Sequence, residues 1–372
     1  NGTPAQTDIP YAFLFPTRPV TVSDLFILSA RGRSREDFRA IIKAYRGYSI
    51  DGQAKAIETI LSTGTRRAVT VDNDVIDCPL VALMNIETKW SDVCTMLRPR
   101  KRKNLWMQLR RFSEIIKLIN EVLREEKPVR PHYIIFHELA LPQHWLRKIA
   151  SICCSQGVSV ISGIDYVPTR KRQNRSAGYC SNQLWMALSS KRKEFYEMFF
   201  VCEDKQQLTP REEVEIKKLG YIQDPAIKNH LHRIIKHGNF VFSTLICSEL
   251  TDIANRVRLR GRVDALIAVS WNQDLHTFSS IIESAASDIH AYLVLCNNRE
   301  YGDSRIRVPA VAWYKRDLIQ IRGGVGSYYV IGKMDVDTLR RFQKNHIPCQ
   351  KALPGDEFKP LPMGFEMSPD RS

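Results

Sequence analysis

The chain has 372 residues, 44% of them hydrophobic, which is enough for one large domain or two smaller ones. Its 18 glycines and 18 prolines exclude a collagen-like or low-complexity chain, and no run of about 18 apolar residues is present to span a membrane. The formal charge of +15 suits a polyanion partner.

The opening residues, Asn1 to Asp8, lack the charged-then-apolar pattern of a secretory signal. The chain also does not begin with Met, as expected of an expression scar or a piece of a longer protein. Residues 1–77 differ in character from the rest of the chain. Ser34 to Ala44 reads as a helix with Ser34 as N-cap, and Gly52 to Leu61 as another. This segment carries no recognisable chemistry and is read as a linker or the end of an upstream domain.

A regular alternation starts near Pro79. Strands are predicted at 80–86, 133–137, 158–164, 182–189, 195–203, 239–247, 263–270, 291–297, 307–314, 318–322 and 328–334. Asn104 to Arg124 is an amphipathic helix, with Trp106, Leu109, Phe112, Ile115, Ile116, Ile119 and Leu123 at helical spacing. Further helices fit 143–155, 276–289 and 336–345. Strands outnumber helices, which predicts mixed sheets flanked by helices. The residues from 346 on, with Pro348, Pro354, Pro360 and Pro362, are expected to form an extended tail. The expected division is therefore 1–77, 78–345 and 346–372.

Nine cysteines occur, and no two have the two-residue gap of a zinc knuckle or redox motif. That argues for reduced thiols and a cytoplasmic home, with no metal and no cofactor expected. Charge is densest at Arg98-Pro-Arg-Lys-Arg-Lys103 and Arg170-Lys-Arg-Gln-Asn-Arg175. Either cluster reads as a solvated loop or as a nucleic-acid contact, the latter through Arg170, Lys171, Arg172 and Arg175. Neither has the interleaved aromatics of a single-strand stacking platform.

Three strand ends carry groups of complementary chemistry. Tyr133-Ile-Ile-Phe-His-Glu138 delivers a carboxylate, Phe195 to Asp204 delivers Lys205, and Asn239-Phe-Val-Phe-Ser-Thr-Leu-Ile-Cys247 delivers a thiol. A thiol attacks as thiolate and needs a base beside it. A carboxylate can take that proton and hand it to a leaving amine. An ammonium and a backbone N–H can hold the developing oxyanion. Glu138 is thus the candidate general base, Lys205 the stabiliser, Cys247 the nucleophile and the Ser248 N–H the second oxyanion donor. A cysteine peptidase using His230, His232 or His276 is a third reading, but no papain-like or caspase-like flank surrounds the cysteine.

The pattern resembles the nitrilase superfamily of carbon–nitrogen hydrolases. Ile134-Ile-Phe-His-Glu-Leu-Ala-Leu-Pro142 is similar to that family's first motif, with His137 where Pro is usual. Lys205-Gln-Gln-Leu-Thr-Pro210 resembles the second motif and Leu245-Ile-Cys-Ser-Glu249 the third. Leu80 to Asp92, Ala268-Val-Ser-Trp-Asn272 and Cys296 to Ser304 resemble supporting segments, so the likeness spans about residues 79 to 335. It implies an α/β fold, a four-layer αββα sandwich, here preceded by a small, mostly helical N-terminal segment. It also implies cleavage of a nonpeptide C–N bond through a cysteine acyl-enzyme, and assembly into homo-oligomers. A second Glu is usual after the Lys. Glu213 suits that role, with Glu212 as competitor, and both could simply open a helix near Arg211. Trp271, Asn272, Arg299, Arg305 and Tyr166 are candidates for the pocket wall or for packing.

A narrower likeness lies in Cys247-Ser-Glu-Leu-Thr-Asp252, Trp271-Asn-Gln-Asp274, Asn297 to Ala310 and Phe358 to Phe365. These resemble the nitrilase portion of bacterial defence-associated reverse transcriptase–nitrilase fusions, which protect against phage. That implies an anti-phage role and an upstream RNA-directed DNA polymerase, although no paired-aspartate polymerase motif is visible here. The alternative is a catalytically silent scaffold that oligomerises, positions an attached polymerase and contacts nucleic acid.

Overall fold

The computed structural model describes residues 68–371 except 95–96, 98–104, 127, 171–177, 193–194, 228–231 and 352. The helices expected at 34–44 and 52–61 and the cluster at 98–103 lie outside the described residues, as do Lys171, Arg172, Arg175 and His230. Arg170 ends a strand.

Two sheets carry the fold. One runs in the order β1 (Ala68–Val71), β8 (Ile234–His237), β9 (Phe240–Ile246), β10 (Ala265–Ser270), β11 (Tyr292–Asn297), β12 (Ser304–Arg307), β13 (Asp317–Ile321). The other runs β14 (Tyr328–Lys333), β2 (Leu80–Asn85), β3 (Tyr133–Ile135), β4 (Ser159–Arg170), β5 (Gly178–Arg192), β6 (Phe195–Asp204), with β7 (Tyr221–Gln223) pairing β5. At the heart of each sheet lie three parallel strands, β9-β10-β11 and β2-β3-β4. Parallel neighbours need crossovers. Here they are α1 (Leu105–Arg124) and α2 (Gln143–Cys154) on one sheet, and α4 (Ile253–Leu259) and α5 (Leu275–Ile289) on the other. Two further helices, α3 (Pro210–Lys218) and α6 (Val336–Asn345), complete the set of described α-helices.

Alternation along the strands sorts the layers. In β2 and β3, Val81, Leu83, Tyr133 and Ile135 face the other sheet, whereas Ala82, Met84 and Ile134 face α1 and α2. Residues one apart point to opposite faces, so period-two packing needs apolar groups on both. Phe112, Ile115, Ile119 and Leu123 of α1, with Leu146 and Ile149 of α2, cover the outer face. Phe278, Ile282 and Ala285 of α5 pack with β10 and β11 in the main core. The result is a four-layer αββα sandwich. Each fully buried Leu or Ile contributes roughly 1.5–3 kcal/mol. A polar pin crosses between the sheets: the Tyr133 hydroxyl lies 2.6 Å from His237 Nδ1, and His237 Nε2 lies 2.7 Å from the Ser189 carbonyl. Because that carbonyl can only accept, Nε2 carries the proton and Nδ1 accepts from the tyrosine.

Several expectations need correction. The sheet begins upstream of the boundary at residue 78, because Ala68–Val71 pairs in parallel with β8 and buries Val69 and Val71. The strand expected at 307–314 lies instead at Ser304–Arg307, ahead of Pro309, which has no N–H to give a ladder. Leu109 is exposed, off the buried stripe of α1. The C-terminal residues are docked and not a free arm. Phe358, Leu361 and Phe365 are buried, and Arg371, 1% exposed, donates from Nε to Asp264 Oδ1 at 2.8 Å. All nine cysteines are free. Among the described residues no helix is long and apolar enough to cross a membrane.

Candidate active site

In open α/β sheets the carboxyl ends of strands are where ligands gather. Glu138 follows β3, Lys205 follows β6, Cys247 follows β9 and Trp271 follows β10. These ends converge. Lys205 Nζ donates to Glu138 Oε1 at 2.8 Å and to Glu212 Oε2 at 2.7 Å. The lysine is only 1% exposed and Glu138 3%. Burial pulls the ammonium towards neutrality, but Glu138 and Glu212 more than reverse this and hold it charged, above the ordinary lysine range.

Cys247 sits at φ +49°, left-handed for a residue with a Cβ, at the corner between β9 and a short 3-10 helix (Cys247–Thr251). Such strained corners lift a nucleophile above a sheet. Glu249 closes the corner. Its carboxylate accepts from the Ile246 N–H and the Gln206 N–H, each at 2.8 Å, and so ties the residue before the thiol to the residue after the lysine. Burial pushes that carboxyl up to about 7. The sulfur accepts from Ser270 Oγ at 3.3 Å, and this hydroxyl and the nearby Trp271 N–H both favour the ionised thiol. Burial, reinforced by Glu138, pushes the thiol up to about 12, against the lowering pull of Lys205. The thiol is therefore protonated at neutral pH, and attack requires a base.

Among the predicted residues, Glu138, Lys205, Cys247, Ser248, Trp271 and Asn272 all line one cavity of about 760 Å³. The second carboxylate that meets Lys205 is Glu212, the competitor, and not Glu213. The helix begins at Pro210 with Thr209 as N-cap, and the Thr209 hydroxyl accepts from the Glu212 N–H. This register turns residue 212 inward and leaves Glu213 exposed, about 100° further round. Arg299 is not in the wall; it binds Glu87, which is. Arg305 pairs with Asp303 elsewhere. Tyr166 is fully buried and donates to Glu212 Oε1 at 3.0 Å. His232 is outside the cavity wall, with Nε2 3.8 Å from Glu249 and 3.2 Å from Gln206 Nε2. Burial holds its imidazole down near 4.

Asn182 went unnoticed in the sequence. Its amide donates to Glu138 Oε1 at 2.8 Å and Glu212 Oε1 at 2.9 Å, joining the two carboxylates. Nothing in a strand-forming stretch marks one Asn as inward-facing. Ser270 was visible only as part of a similar segment. Among the described residues no group of three His, Cys, Asp or Glu is arranged to hold a metal ion.

No family model matches the chain, and no curated protein matches it. Similar solved structures include a mutant amidase from Nesterenkonia sp. AN1 in complex with butyramide. It is 12% identical, with 72% of this chain and 97% of that one covered and a TM-score of 0.48. A branch 10 member of the nitrilase superfamily from Saccharomyces cerevisiae is 14% identical, with 74% and 96% covered and a TM-score of 0.48. A CN-hydrolase superfamily protein from Xanthomonas campestris, with an arsenic adduct in its active site, is 11% identical, with 76% and 98% covered and a TM-score of 0.48.

Proposed function

We propose that this chain is a carbon–nitrogen hydrolase of the nitrilase type that cleaves a nonpeptide C–N bond through a thioester on Cys247. The observation that carries the reading is the convergence of a buried carboxylate–ammonium pair and a cysteine, from three distant strand ends, on one open cavity. A thiol raised to about 12 is a poor nucleophile alone. Glu138 takes its proton as sulfur attacks the acyl carbon, and the carbonyl electrons move onto oxygen. Lys205 and the Ser248 N–H hold that oxyanion. The oxyanion then collapses, the C–N bond breaks, and Glu138 returns the proton to the leaving nitrogen. Water attacks the thioester with Glu138 again as base; the C–S bond breaks, the acid leaves and the sulfur regains a proton. Glu212 keeps the ammonium charged and fixed throughout. Ammonia release from a panel of primary amides by the parent protein, and its loss in Cys247→Ala, tests this. Release by the alanine variant at the parent rate refutes it.

The same reading extends to the setting. The motifs from Cys247 to Asp252, Trp271 to Asp274, Asn297 to Ala310 and Phe358 to Phe365 support a nitrilase-like domain of a phage-defence reverse transcriptase, acting as a homo-oligomer in the cytoplasm. An open cavity over the thiol supports chemistry over a silent scaffold, which has no use for one. In cells carrying the full system, Cys247→Ala should abolish phage protection while assembly persists. Protection by that variant favours the scaffold.

A further inference from the structure

We propose that His137, which stands where the resembled motif has Pro, is a positioning residue for Glu138: its Nδ1–H holds the Glu138 carbonyl, and Thr88 and Arg111 hold its ring. The proposal rests on the reading of Glu138 as the general base.

The hydrogen bonds have one consistent direction. His137 Nδ1 lies 2.7 Å from the Glu138 carbonyl, which can only accept, so Nδ1 carries the proton. Nε2 lies 3.1 Å from Thr88 Oγ1. In the neutral ring Nε2 must accept, so the Thr88 hydroxyl donates to it. That hydroxyl oxygen in turn accepts from Arg111 Nη2 at 2.6 Å. The same nitrogen reaches the Ala140 carbonyl at 2.6 Å. Thr88 is itself pinned: its carbonyl accepts from Asn298 Nδ2 at 2.7 Å. His137, Thr88, Ala140 and Asn298 are each 0% exposed, so no water competes. The ring is neutral, since burial and the neighbouring guanidinium hold it near 3.

The bond at Glu138 has a specific purpose. The Glu138 carbonyl belongs to the peptide joining it to Leu139, which sits at φ +54°. A residue with a Cβ there costs about 1 kcal/mol or more, and the turn relaxes unless something holds it. Gly163 packs so closely beneath that a Cβ there would stand 2.5 Å from Glu138 Cα. The turn is thus held from below by Gly163 and through its carbonyl by His137. The carboxylate keeps its aim at Lys205 and the Trp271 N–H. A proline at 137 has no donor to offer. The network also ties the base to the cavity wall, because Thr88 lies between the wall residues Glu87 and Trp90.

The test uses p-nitrophenyl acetate with the whole chain, measuring burst amplitude and steady-state rate. His137→Ala should keep a Cys247-dependent burst while turnover falls about tenfold or more, as expected of a base misplaced by a fraction of an ångström to 1 Å. His137→Asn presents an N–H at the Nδ1 position and should recover turnover to within about threefold of the parent. Parent-like turnover in His137→Ala overturns the proposal. So does His137→Asn falling as far as alanine, which would make the ring's bulk the cause. If His137→Ala does not fold, Thr88→Val keeps the ring and removes its support; turnover should fall severalfold with the burst retained, and an unchanged rate overturns the proposal. A parent protein with no Cys247-dependent burst defeats the hydrolase reading, and this role with it.

Discussion

The backbone N–H of Trp271 donates at 3.1 Å to Oε2 of Glu138, a residue of the other sheet 133 positions away in sequence. Glu138 Oε1 is meanwhile taken by Lys205 and Asn182. The carboxylate is therefore oriented from both sides, and the end of β10 is as much a part of the site as the end of β3. The Trp271 N–H also pulls the Cys247 thiol down against the rise from burial, so the end of β10 acts on both groups.

Glu212 and Glu213 should differ sharply. Glu212→Gln removes the charge that balances buried Lys205, and hydrolysis of p-nitrophenyl acetate should drop about tenfold or more. Glu213→Gln changes an exposed side chain and should leave it unaltered. Equal loss in both variants would show the helix start, not the inward carboxylate, to be at stake.

Lys205→Met should cost about 3–5 kcal/mol of stability, because it strands Glu138 and Glu212 together without a cation. Adding Glu212→Gln should recover part of that loss while activity stays absent. Denaturant melts of the single and double variants check this. A double variant no more stable than the single one contradicts the electrostatic account.

Gly163→Ala should disable the site with little effect on the fold. The added Cβ meets the backbone of Glu138 and Leu139, 2.5 and 2.6 Å away, and something must shift. Melting temperature should drop modestly while turnover falls about a hundredfold, a scale known for small misplacements. Parent-like turnover would mean that the turn has slack.

How much of this was legible in the residues can be judged at single positions. Glu138, Lys205 and Cys247 were visible because each ends an apolar run that must be a buried strand, and strand ends of such sheets converge. Phe240 to Ile246 is buried at every position, as an uninterrupted apolar run predicts. Between the competitors Glu212 and Glu213 the residues alone favour the wrong neighbour, since the exact register of a helix start depends on its cap and on what it packs against. Asn182 carried no signal, because inward and outward polar residues look alike until a second element is packed on them; Ser270 shows only within a similar segment, and Tyr166, a candidate for the wall or for packing, packs on Glu212. Ala68–Val71 was read with the upstream segment, since four residues of alternating burial are too short to stand out as an edge strand. Arg299 looked like a pocket cation and proved to be a brace for Glu87.

Acid should destabilise the domain well above the usual carboxylate range. Burial holds His137 near 3 and His232, His237 and His290 near 4, below the ordinary 6.5. A depressed folded pKa gives stability that is present above 6.5 and lost as pH falls towards 4. Each contributes on the order of 3 kcal/mol over that window. Glu203 and Glu249, both raised to about 7 by burial, work in the opposite sense: they favour the fold as pH falls from 7 towards 4.5. Two groups oppose four, so the histidines win. Thermal melts at pH 7, 5.5 and 4 should show a steep decline, and a level or rising melting temperature contradicts this balance.

The most direct measurement is the mass of the peptide containing Cys247 after rapid acid quench of the protein with p-nitrophenyl acetate. The account predicts one acetyl group on Cys247, appearing in the burst and turning over, formed far more slowly in Glu138→Gln and absent in Cys247→Ala. Acetylation confined to surface lysines or to exposed Cys349, with Cys247 unmodified and p-nitrophenolate release unchanged in Cys247→Ala, would contradict it.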